Sequence, residues 1–414
     1  MSEFTLAKDI SITSGFAFSS ALFDPEHGEP LIRIRDIQGQ KTAVKYTGTY
    51  SKEYVVETGD LLVGMDGDFN VVRWLGAKAL LNQRVCKIES VSDEVHQGFL
   101  FWYLQPKLKE IHAVTPQTTV KHLSVKDIYA IEKPCFNYLE QEMIANILDT
   151  LDTQLRETEA IIAKLQQVKQ GLLHDLLTRG VDKNGELRPS YEDAPELYQS
   201  SELGWIPKDW NEVSLADISI IKSGSTPSRT KAEVYFCSEG GFPWVKTMDL
   251  NEDVIVQTDE QITQKALEKT SCILYPQESV LVAMYGGWEQ IGRVAILADE
   301  AATNQAISAL IFNKDGIVPE FVLRSLQFHR PGWKKVAAST RKDPNITKSD
   351  VEKFKIAVPE NTDEQKYIVE IYREMINKTN AEKLSLDKLI SKKSGLMDDL
   401  LTGKVRVTEL LKSK

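Results

Sequence analysis

The sequence is poor in cysteine and has no long hydrophobic run. Its cysteines, Cys86, Cys135, Cys237 and Cys272, stand singly with no Cys-x-x-Cys pair, so we expect neither a zinc site nor a disulfide framework. No apolar stretch approaches the ~18 residues needed to cross a bilayer, and the first residues mix an acid with a base instead of forming a signal peptide. We therefore expect a cytoplasmic protein without membrane contact.

Signatures of catalysis are also missing. The sequence has no Walker A loop, no Gly-x-Gly-x-x-Gly, no His-Glu-x-x-His, and no Asn or Asp followed by Pro-Pro-Tyr or Pro-Pro-Phe, the motif of amino-methyltransferases. Its six histidines lack metal-ligand spacing, and no pair of carboxylates stands out from the background. We expect a non-catalytic chain that holds no metal and no cofactor of its own.

Charge gives a mixed indication. The net charge of −10 argues mildly against nucleic acid as a partner, because binding DNA requires Lys and Arg to replace counterions. Residues 328–348, however, hold six Lys or Arg and one acid, Asp343. Such a local basic patch is typical of a surface that contacts phosphates, and a solvated helix face is the alternative.

The chain repeats itself with a long period. Residues 140–181 align without a gap on residues 364–405, and 14 of the 42 pairs are identical. Average composition would give roughly two or three identities. The strongest part sets 169–178 against 393–402, which read KQGLLHDLLT and KSGLMDDLLT. An internal repeat of this kind fixes the architecture.

Within each copy, apolar residues recur at alternating steps of four and three, which predicts one stripe along a long helix. The stripe residues are Ile144, Leu148, Leu151, Leu155, Ile162, Leu165, Leu172 and Leu176 in the first copy, and Ile368, Met375, Leu386, Leu389, Leu396 and Leu400 in the second. Gly180 and Gly403 stand where each helix would stop.

Such helices would be roughly 60 Å long, too long to lie inside one small domain. We expect the two to pack on each other, antiparallel, as an intramolecular coiled coil. An intermolecular coiled coil that dimerises the protein is the alternative.

The repeat continues more weakly before each helix. Residues 6–15 resemble 215–224, residues 30–37 parallel 243–250 and read as strands, and 59–65 match 278–284. The pair Asn82-Gln83 also matches Asn304-Gln305. The repeating unit is therefore one domain plus one helix.

These observations predict an α/β (α+β) chain with two similar globular domains, each with a mixed β-sheet, and a pseudo-two-fold internal repeat. The predicted segments are a first globular domain at 1–138, a long helix at 139–181, a linker at 182–209, a second globular domain at 210–362, a second long helix at 363–407 and a tail at 408–414. Three prolines and seven acids mark the linker.

Loops with donors suited to DNA phosphates and base edges occur in both domains, and they differ between the domains although the framework is shared. The candidate DNA-binding residues are Ser14, Arg33, Arg35, Asn70 and Lys121 in the first domain, and Ser225, Thr226, Ser228, Arg229, Lys246, Tyr285, Trp288, Arg341 and Lys342 in the second. The amides of Asn82, Gln83, Asn304 and Gln305 either pair with adenine or belong to a buried framework.

In order and duplication, these motifs resemble the specificity subunits of Type I restriction-modification enzymes. The resemblance covers nearly the whole chain. It depends on the two helix ends quoted above, on LGWIPKDW at 203–210, SGSTPS at 223–228 and PWVKT at 243–247, and on AMYG at 283–286, TNQA at 303–306, IAVP at 356–359 and DEQ at 363–365. The first domain departs from the family in lacking a Gly-Trp-x-x-Pro opening.

The resemblance implies two target recognition domains that each read one half of a bipartite duplex DNA site. It implies that the helices act as spacer and as docking surface for two methyltransferase subunits, which bring S-adenosylmethionine and methylate adenine flipped out of the stack. ATP-dependent restriction subunits, which need ATP and Mg²⁺, would join them in phage defence. A non-catalytic coiled-coil scaffold that binds only proteins is the competing hypothesis, and an enzyme with an unseen catalytic centre is a third.

Overall fold

The structure is a computed structural model that describes residues 4–116, 120–337 and 344–408. The chain divides into two compact units. The first comprises the described residues up to Ala160 together with those from Lys383 onward, and the second is Ile161–Glu382. Each unit therefore holds one sheet-containing domain and one part of each long helix. No helix in the described ranges is long and apolar enough to cross a membrane.

The first unit contains two sheets beside a helical layer. Its strands are β1 (Ile10–Ser14), β2 (Phe23–Asp24), β3 (Glu29–Ile32), β4 (Lys45–Tyr46), β5 (Val55–Val56), β6 (Leu61–Gly64), β7 (Val71–Arg73), β8 (Ala79–Leu81) and β9 (Val85–Ser90). Its helices are α1 (Gln97–Val114), α2 (Val125–Tyr129) and the start of α3 (Tyr138–Thr178). One sheet has the order β1-β9-β6-β7 and the other β2-β4-β3-β8-β5.

The second unit repeats this plan. Its strands are β10 (Tyr198–Ser201), β11 (Gly204–Pro207), β12 (Trp210–Ser214), β13 (Ile220–Ser223), β14 (Phe236–Cys237), β15 (Phe242–Val245), β16 (Val254–Ile255), β17 (Gln261–Ile262), β18 (Val280–Ala283), β19 (Val294–Leu297), β20 (Ala302–Thr303), β21 (Ile307–Ile311) and β22 (Lys355–Pro359). Its helices are α4 (Leu215–Ile218), α5 (Ala232–Tyr235), α6 (Gln264–Lys269), α7 (Pro319–Phe328), α8 (Trp333–Val336), α9 (Lys348–Lys353) and the start of α10 (Thr362–Leu401).

Strand order shows the internal repeat directly. In the second unit one sheet runs β13-β21-β18-β19-β16 and another β14-β17-β15-β20, so β13, β21, β18 and β19 take the places of β1, β9, β6 and β7. Both domains contain an equivalent parallel pair, β3 with β8 and β15 with β20, and the second domain has a further parallel pair, β16 with β19. The central strands β6 and β18 are buried along their whole length, as expected for strands with apolar layers on both faces. The predicted fold class, two mixed-sheet domains with long helices, is confirmed.

The predicted strands at 30–37 and 243–250 are wrong in their second halves. The strands end at Ile32 and Val245, and a 3-10 turn follows at Ile34–Asp36 and Thr247–Asp249. In each case the carboxylate of the turn's last residue accepts the backbone N–H of the residue before the turn, Arg33 at 3.0 Å and Lys246 at 2.7 Å. These local side-chain bonds compete with strand pairing and end the strand.

The segment predicted as a linker is folded in part. Strands β10 and β11 form an antiparallel hairpin between Tyr198 and Pro207. Tyr191 stacks on Trp205 with ring centroids 4.2 Å apart, while Trp210, the first residue of β12, is fully buried. The aromatic residues here therefore cover the start of the second domain.

The stripe along the long helices is buried as its spacing predicts. Ile144, Leu148, Ile368 and Leu400 are at most 3% exposed. Leu151, Leu155, Ile162 and Leu176 are also buried, and Leu165, Leu172, Met375, Leu386, Leu389 and Leu396 are half-buried. Off the stripe, Leu384 and Ile390 are at least half exposed.

Within the first unit the two helix segments run antiparallel. Asp152 of α3 pairs with Lys393 of α10 at 2.6 Å, and Glu140, earlier in α3, pairs with Arg406, which follows α10. Residue numbers therefore rise along one helix segment while they fall along the segment that faces it, as they do in an antiparallel pair. Because the stripe is buried within a single chain, an intermolecular coiled coil is disfavoured.

One buried glutamine fixes the start of each long helix. Gln141 accepts the backbone N–H of His96 at 2.9 Å and donates to the carbonyls of Glu94 and Phe136. Gln365 likewise accepts the N–H of Val318 at 2.8 Å and donates to the carbonyls of Gly316 and Pro359. Both side chains are fully buried. Each joins its long helix to the loop before α1 or α7.

The two domains contact their long helices through opposite charges. In the first unit Asp149 of α3 accepts from Arg73 at 3.1 Å and from the indole of Trp102 at 2.9 Å. In the second unit the equivalent position in the repeat is Arg373 of α10, which donates to Glu320 of α7. The helix carries the acid in one unit and the base in the other.

Candidate nucleic-acid interface

In the second domain, main-chain hydrogen bonds gather four loops side by side. The N–H of Ser225 donates to Thr303 at 2.9 Å, and the N–H of Asn304 donates to Val245 at 2.9 Å. Met284 donates to Ala306 at 2.8 Å and accepts from Ile346 at 3.0 Å. The loops after β13, β15, β18 and β20 and the residues before α9 therefore form one continuous surface.

The first domain gathers its loops with the same set of bonds. Phe16 donates to Leu81 at 3.0 Å, and Asn82 donates to Ile32 at 3.2 Å. Met65 donates to Arg84 at 2.8 Å and accepts from Leu123 at 2.8 Å. Since these bonds use only backbone atoms, the loop side chains can differ without disturbing the framework.

The loop from Ser225 to Arg229 is held rigidly. The Ser225 carbonyl accepts the indole N–H of Trp244 at 3.1 Å and the thiol of Cys272 at 3.3 Å, while its hydroxyl bonds Ser271. Thr226 donates to Gln305, and Pro227 is buried. Ser228 is exposed and bonds Thr230 at 2.8 Å. The predicted hydroxyls thus lie on a preorganised loop.

Two predicted cations, Arg229 and Lys246, converge on Glu260. Arg229 Nη1 donates to Oε2 at 2.6 Å, and Lys246 Nζ donates to Oε1 at 3.0 Å. The hydrogen bond from Arg229 lowers the pKa of Glu260, and the hydrogen bond to Glu260 raises the pKa of Lys246. Glu260 and Lys246 are therefore charged at neutral pH.

Tyr285 and Trp288 stand on the loop after β18 and are 40% and 47% exposed. Between them Gly286 and Gly287 both have positive φ, of 111° and 81°, which other residues rarely adopt. The loop therefore presents two aromatic rings to solvent beside the Ser225–Arg229 loop. Exposed rings of this kind suit stacking and groove contacts.

The predicted residues of the first domain divide into two groups. Ser14 and Arg35 are exposed, and Asn70 is half-buried. Arg33 instead bonds Asp36 at 3.2 Å, and Lys121 donates to the carbonyl of His112 at 2.5 Å. Both cations are engaged in the framework of their own domain, which leaves Ser14, Arg35 and Asn70 for ligand contact.

A charged cluster in the first domain was not predicted. His122 Nδ1 lies 2.5 Å from Asp66 Oδ1, and Arg84 Nη1 lies 3.3 Å from Asp66 Oδ2. Arg84 is 56% exposed and has a φ of +73°. The sequence signal for it was its position directly after the repeated Asn-Gln pair, which turns the chain at the same place in both domains.

The repeated Asn-Gln pairs divide in the same way in both domains. Asn82 is buried, and Asn304 accepts the N–H of Ala306 at 3.1 Å within its own turn. Gln83 and Gln305 are exposed. The asparagines fit the buried-framework interpretation, while the glutamines remain accessible to a ligand.

Comparison with known proteins identifies the family. A family model described as the Type I restriction modification DNA specificity domain matches residues 3–167 and 207–390. The chain belongs to this family. As a specificity protein it serves DNA target recognition, and its two matched segments correspond to the two repeated domains.

Individual relatives agree with the family model. The chain is 32% identical to the Type I restriction enzyme EcoBI specificity subunit of Escherichia coli over 75% of its own length and 66% of that protein. It is 25% identical to the MjaVIII specificity subunit of Methanocaldococcus jannaschii over 89% of its length and 84% of that protein. The crystal structure of the S subunit from M. genitalium has the same fold, with a TM-score of 0.60, 17% identity and coverage of 96% and 94%.

The basic patch of the specificity protein is only partly free. Arg330 bonds Glu252 at 2.8 Å and the carbonyl of Ile291, and Lys348 pairs with Glu352 at 3.2 Å. Lys334 and Lys335 are exposed. Arg341 and Lys342, the two candidates in this patch, lie outside the described residues. Arg330 therefore stabilises the loop after β18 by a hydrogen bond to the backbone of that loop.

The predicted helix stripe of the specificity protein also has a defined place. Its residues are buried or half-buried within the chain, as described above, so the buried ones are not open to direct contact with a partner subunit. The exposed flanks of α3 and α10 are the surfaces left for a partner. In the first unit, Asn146, Thr150, Gln154 and Lys392 line a shallow groove together with Ile147 and the stripe residues Leu151 and Leu396.

Proposed function

We propose that this chain reads a bipartite duplex DNA target, one half with each domain, and thereby directs adenine methylation and restriction by partner subunits. In this proposal the chain contributes no catalytic group. S-adenosylmethionine belongs to two methyltransferase subunits, and ATP and Mg²⁺ belong to translocating endonuclease subunits.

The observation that carries the proposal is the contrast between framework and loops. Equivalent main-chain hydrogen bonds hold Met65 in the first domain and Met284 in the second between the neighbouring loops. The neighbouring side chains differ, because the positions of Asp66, Arg84 and His122 in the first domain hold Tyr285, Ala306 and Asn345 in the second. One scaffold with two different sets of side chains is the arrangement expected of two readers with different targets.

The duplication of the long helices supports the proposal that two methyltransferase subunits bind. Glu140-Gln141 and Glu364-Gln365 occupy equivalent positions and hold equivalent loops, so each repeat offers a similar arrangement of backbone. Two identical methyltransferase subunits would then bind by pseudo-two-fold symmetry.

Selection from a random duplex library tests the proposal. The chain assembled with its methyltransferase should enrich a split motif, and mapping of methylated adenines in the host genome with and without the gene should return the same motif. Enrichment of no motif by the assembled complex would instead favour a scaffold that binds only proteins.

A domain exchange tests the division of labour. Replacing residues 1–138 with the equivalent domain of another specificity protein should change one half of the motif and leave the other half unchanged. A change in both halves contradicts independent reading.

A further inference from the structure

Arg229 lies in a corner formed by two aromatic rings. Its guanidinium carbon is 4.1 Å from the ring centre of Phe236 and 5.2 Å from that of Trp244. The two rings meet edge to face, at 77°. Stacking on a ring restricts the plane of a guanidinium as well as attracting its charge.

Glu260 further restricts the conformation of the Arg229 side chain. Glu260 accepts from Nη1 of Arg229 alone, and within the described residues Nε and Nη2 of Arg229 donate no hydrogen bond. The arginine side chain is nevertheless 52% exposed. A planar donor group is therefore held in one orientation with part of its donor edge toward solvent.

The platform beneath Arg229 is rigid. Trp244 is 2% exposed, and its indole N–H is bonded to the carbonyl of Ser225 in the same loop that carries Arg229. The loop and the ring thus position each other. Because the side chain is already ordered, little conformational entropy remains to be lost on binding.

Local charge argues against a simple phosphate contact. Arg229 and Lys246 face Glu260, and Lys246 also lies 3.6 Å from Asp259. Asp249 also acts on Lys246, so the carboxylates around the two cations offset their charge. Such a cluster attracts the phosphate backbone weakly, so its contribution to binding must come from the geometry of its donors.

We infer that Arg229 reads a guanine in the half-site bound by the second domain, with Glu260 and the rings of Phe236 and Trp244 as positioning groups. Guanine presents two acceptors, N7 and O6, on its major-groove edge, and the planar fork of arginine matches them. Adenine presents a donor in place of O6 and so does not satisfy the fork. This inference rests on the proposed function.

Among the described residues of the first domain, no counterpart of this arrangement occurs. The backbone N–H of Trp244 donates to the carbonyl of Glu260, and the equivalent Leu31 donates to the carbonyl of Val44. Valine thus occupies the position of the positioning carboxylate. The guanine preference should therefore belong to one half of the motif only.

The test is library selection with the assembled complex of chain and methyltransferase, using Arg229→Lys, Arg229→Ala and Glu260→Gln. Lys231→Ala is the matched control, since Lys231 is an exposed cation on the same 3-10 turn. We expect Arg229→Ala and Arg229→Lys to lower the preference for guanine over adenine at one position by about 10- to 100-fold. Lys231→Ala should leave the motif unchanged.

A modified base separates base reading from charge. Replacing that guanine with 7-deazaguanine, which lacks the N7 acceptor, should weaken binding of the unsubstituted chain and have no further effect on Arg229→Ala. Glu260→Gln should reduce the guanine preference while the thermal unfolding of the chain stays unchanged.

Each failure has its own signature. If the unsubstituted complex enriches no motif, the proposed function itself fails. If it enriches a motif that Arg229→Ala leaves intact, only the present inference fails. Stronger binding of Glu260→Gln to all sequences, with an unchanged guanine preference, would show that Glu260 is merely a counter-ion and would also overturn the inference.

Discussion

Arg406, which follows the end of α10, donates from Nε and Nη2 to both carboxylate oxygens of Glu140 in the first turn of α3, at 3.0 and 2.7 Å. The second unit has the reciprocal pair: Arg188, which follows α3, donates to both oxygens of Glu364 in the first turn of α10. Glu140 and Glu364 are 1% and 6% exposed. The residues after each long helix thus hold the start of the other.

Removing Arg188 should destabilise the second unit strongly. Glu364 also accepts the indole N–H of Trp210 and the backbone N–H of Val181, but without Arg188 its charge would be buried and unpaired. We expect Arg188→Ala to cost about 3 to 5 kcal/mol, measured by chemical unfolding. Arg156→Ala is the control, because Arg156 is 53% exposed beside Asp152 and its removal should have no detectable effect. Equal effects of both variants would contradict this account.

Gly180 should be intolerant of any side chain. Its φ is +66°, and a Cβ there would lie 2.3 Å from Glu364 Oε1 and 2.4 Å from Arg188 Nη1. Strain and collision together should make Gly180→Ala cost more than about 2 kcal/mol. Gly171, within α3, has open space around its Cβ position, and Gly171→Ala should stabilise by about 0.5 to 1 kcal/mol. Thermal unfolding of the two variants gives the comparison, and shifts of the same sign would count against it.

The stability of the second unit should fall between pH 7 and pH 5 because of His329. Burial lowers the pKa of His329 to about 4, so the folded protein keeps this ring neutral while the unfolded chain takes up a proton below pH 6.5. Proton uptake by the unfolded state alone reduces stability as pH falls, here by about 2 kcal/mol between pH 7 and pH 5.

Unfolding of His329→Gln at both pH values measures this contribution, which the variant should lack. His174→Gln is the control, because the His174 side chain is 64% exposed. An unchanged pH dependence in His329→Gln would show that another group is responsible.

Under the proposed function, Arg84→Ala should change the half of the motif that the first domain reads. The residue is exposed and pairs with Asp66 on the loop surface, so its removal should reduce base discrimination there by about 5- to 100-fold and leave the other half unaltered. Library selection is the measurement. Arg73→Ala is a suitable control, because Arg73 contacts the long helix instead of the loop surface. A shift in both halves would refute the assignment.

Arg341 and Lys342 lie outside the described residues, and their role remains the prediction made from the sequence. Each should bind a DNA phosphate, so changing either to Ala should weaken binding to all sequences alike. The slope of log K against log salt should fall by about 0.9 for each phosphate that the variant no longer neutralises. Titration of DNA binding at several salt concentrations tests this, and an unchanged slope would remove these two residues from the interface.

The sequence predicted what depends on local spacing. The steps of four and three from Ile144 to Leu176 encode a helix, because residues at that spacing share a face. Gly180 follows the end of α3 and Gly403 follows the end of α10, and both have positive φ. The repeat then predicted a second domain on the same plan. The strand at 30–37 was extended too far, because the bond from Asp36 that ends it is not visible in a hydrophobicity pattern.

Pairings between distant residues could not be predicted in this way. Glu260 holds Arg229 from 31 positions away, and Asp66 joins Arg84 to His122 across a loop junction. The tertiary structure brings such partners together. A single carboxylate in the sequence therefore does not indicate which cation it will pair with. The identical Glu-Gln pairs at 140 and 364 did carry a signal, because polar residues duplicated at the start of two helices indicate a shared structural role.

The long helices carry opposite charges where they contact their domains, Asp149 in the first unit and Arg373 in the second. This difference affects which exchanges of domains between genes would give a stable protein. A first domain transferred onto α10 would bring Arg73 against Arg373, where its native helix presents Asp149. Like charges would then meet at the junction, and both would be without their partners. Exchange between genes at matching positions avoids this conflict. If each domain reads one half-site, as proposed, new combinations should arise most readily when incoming segments keep their original order along the chain.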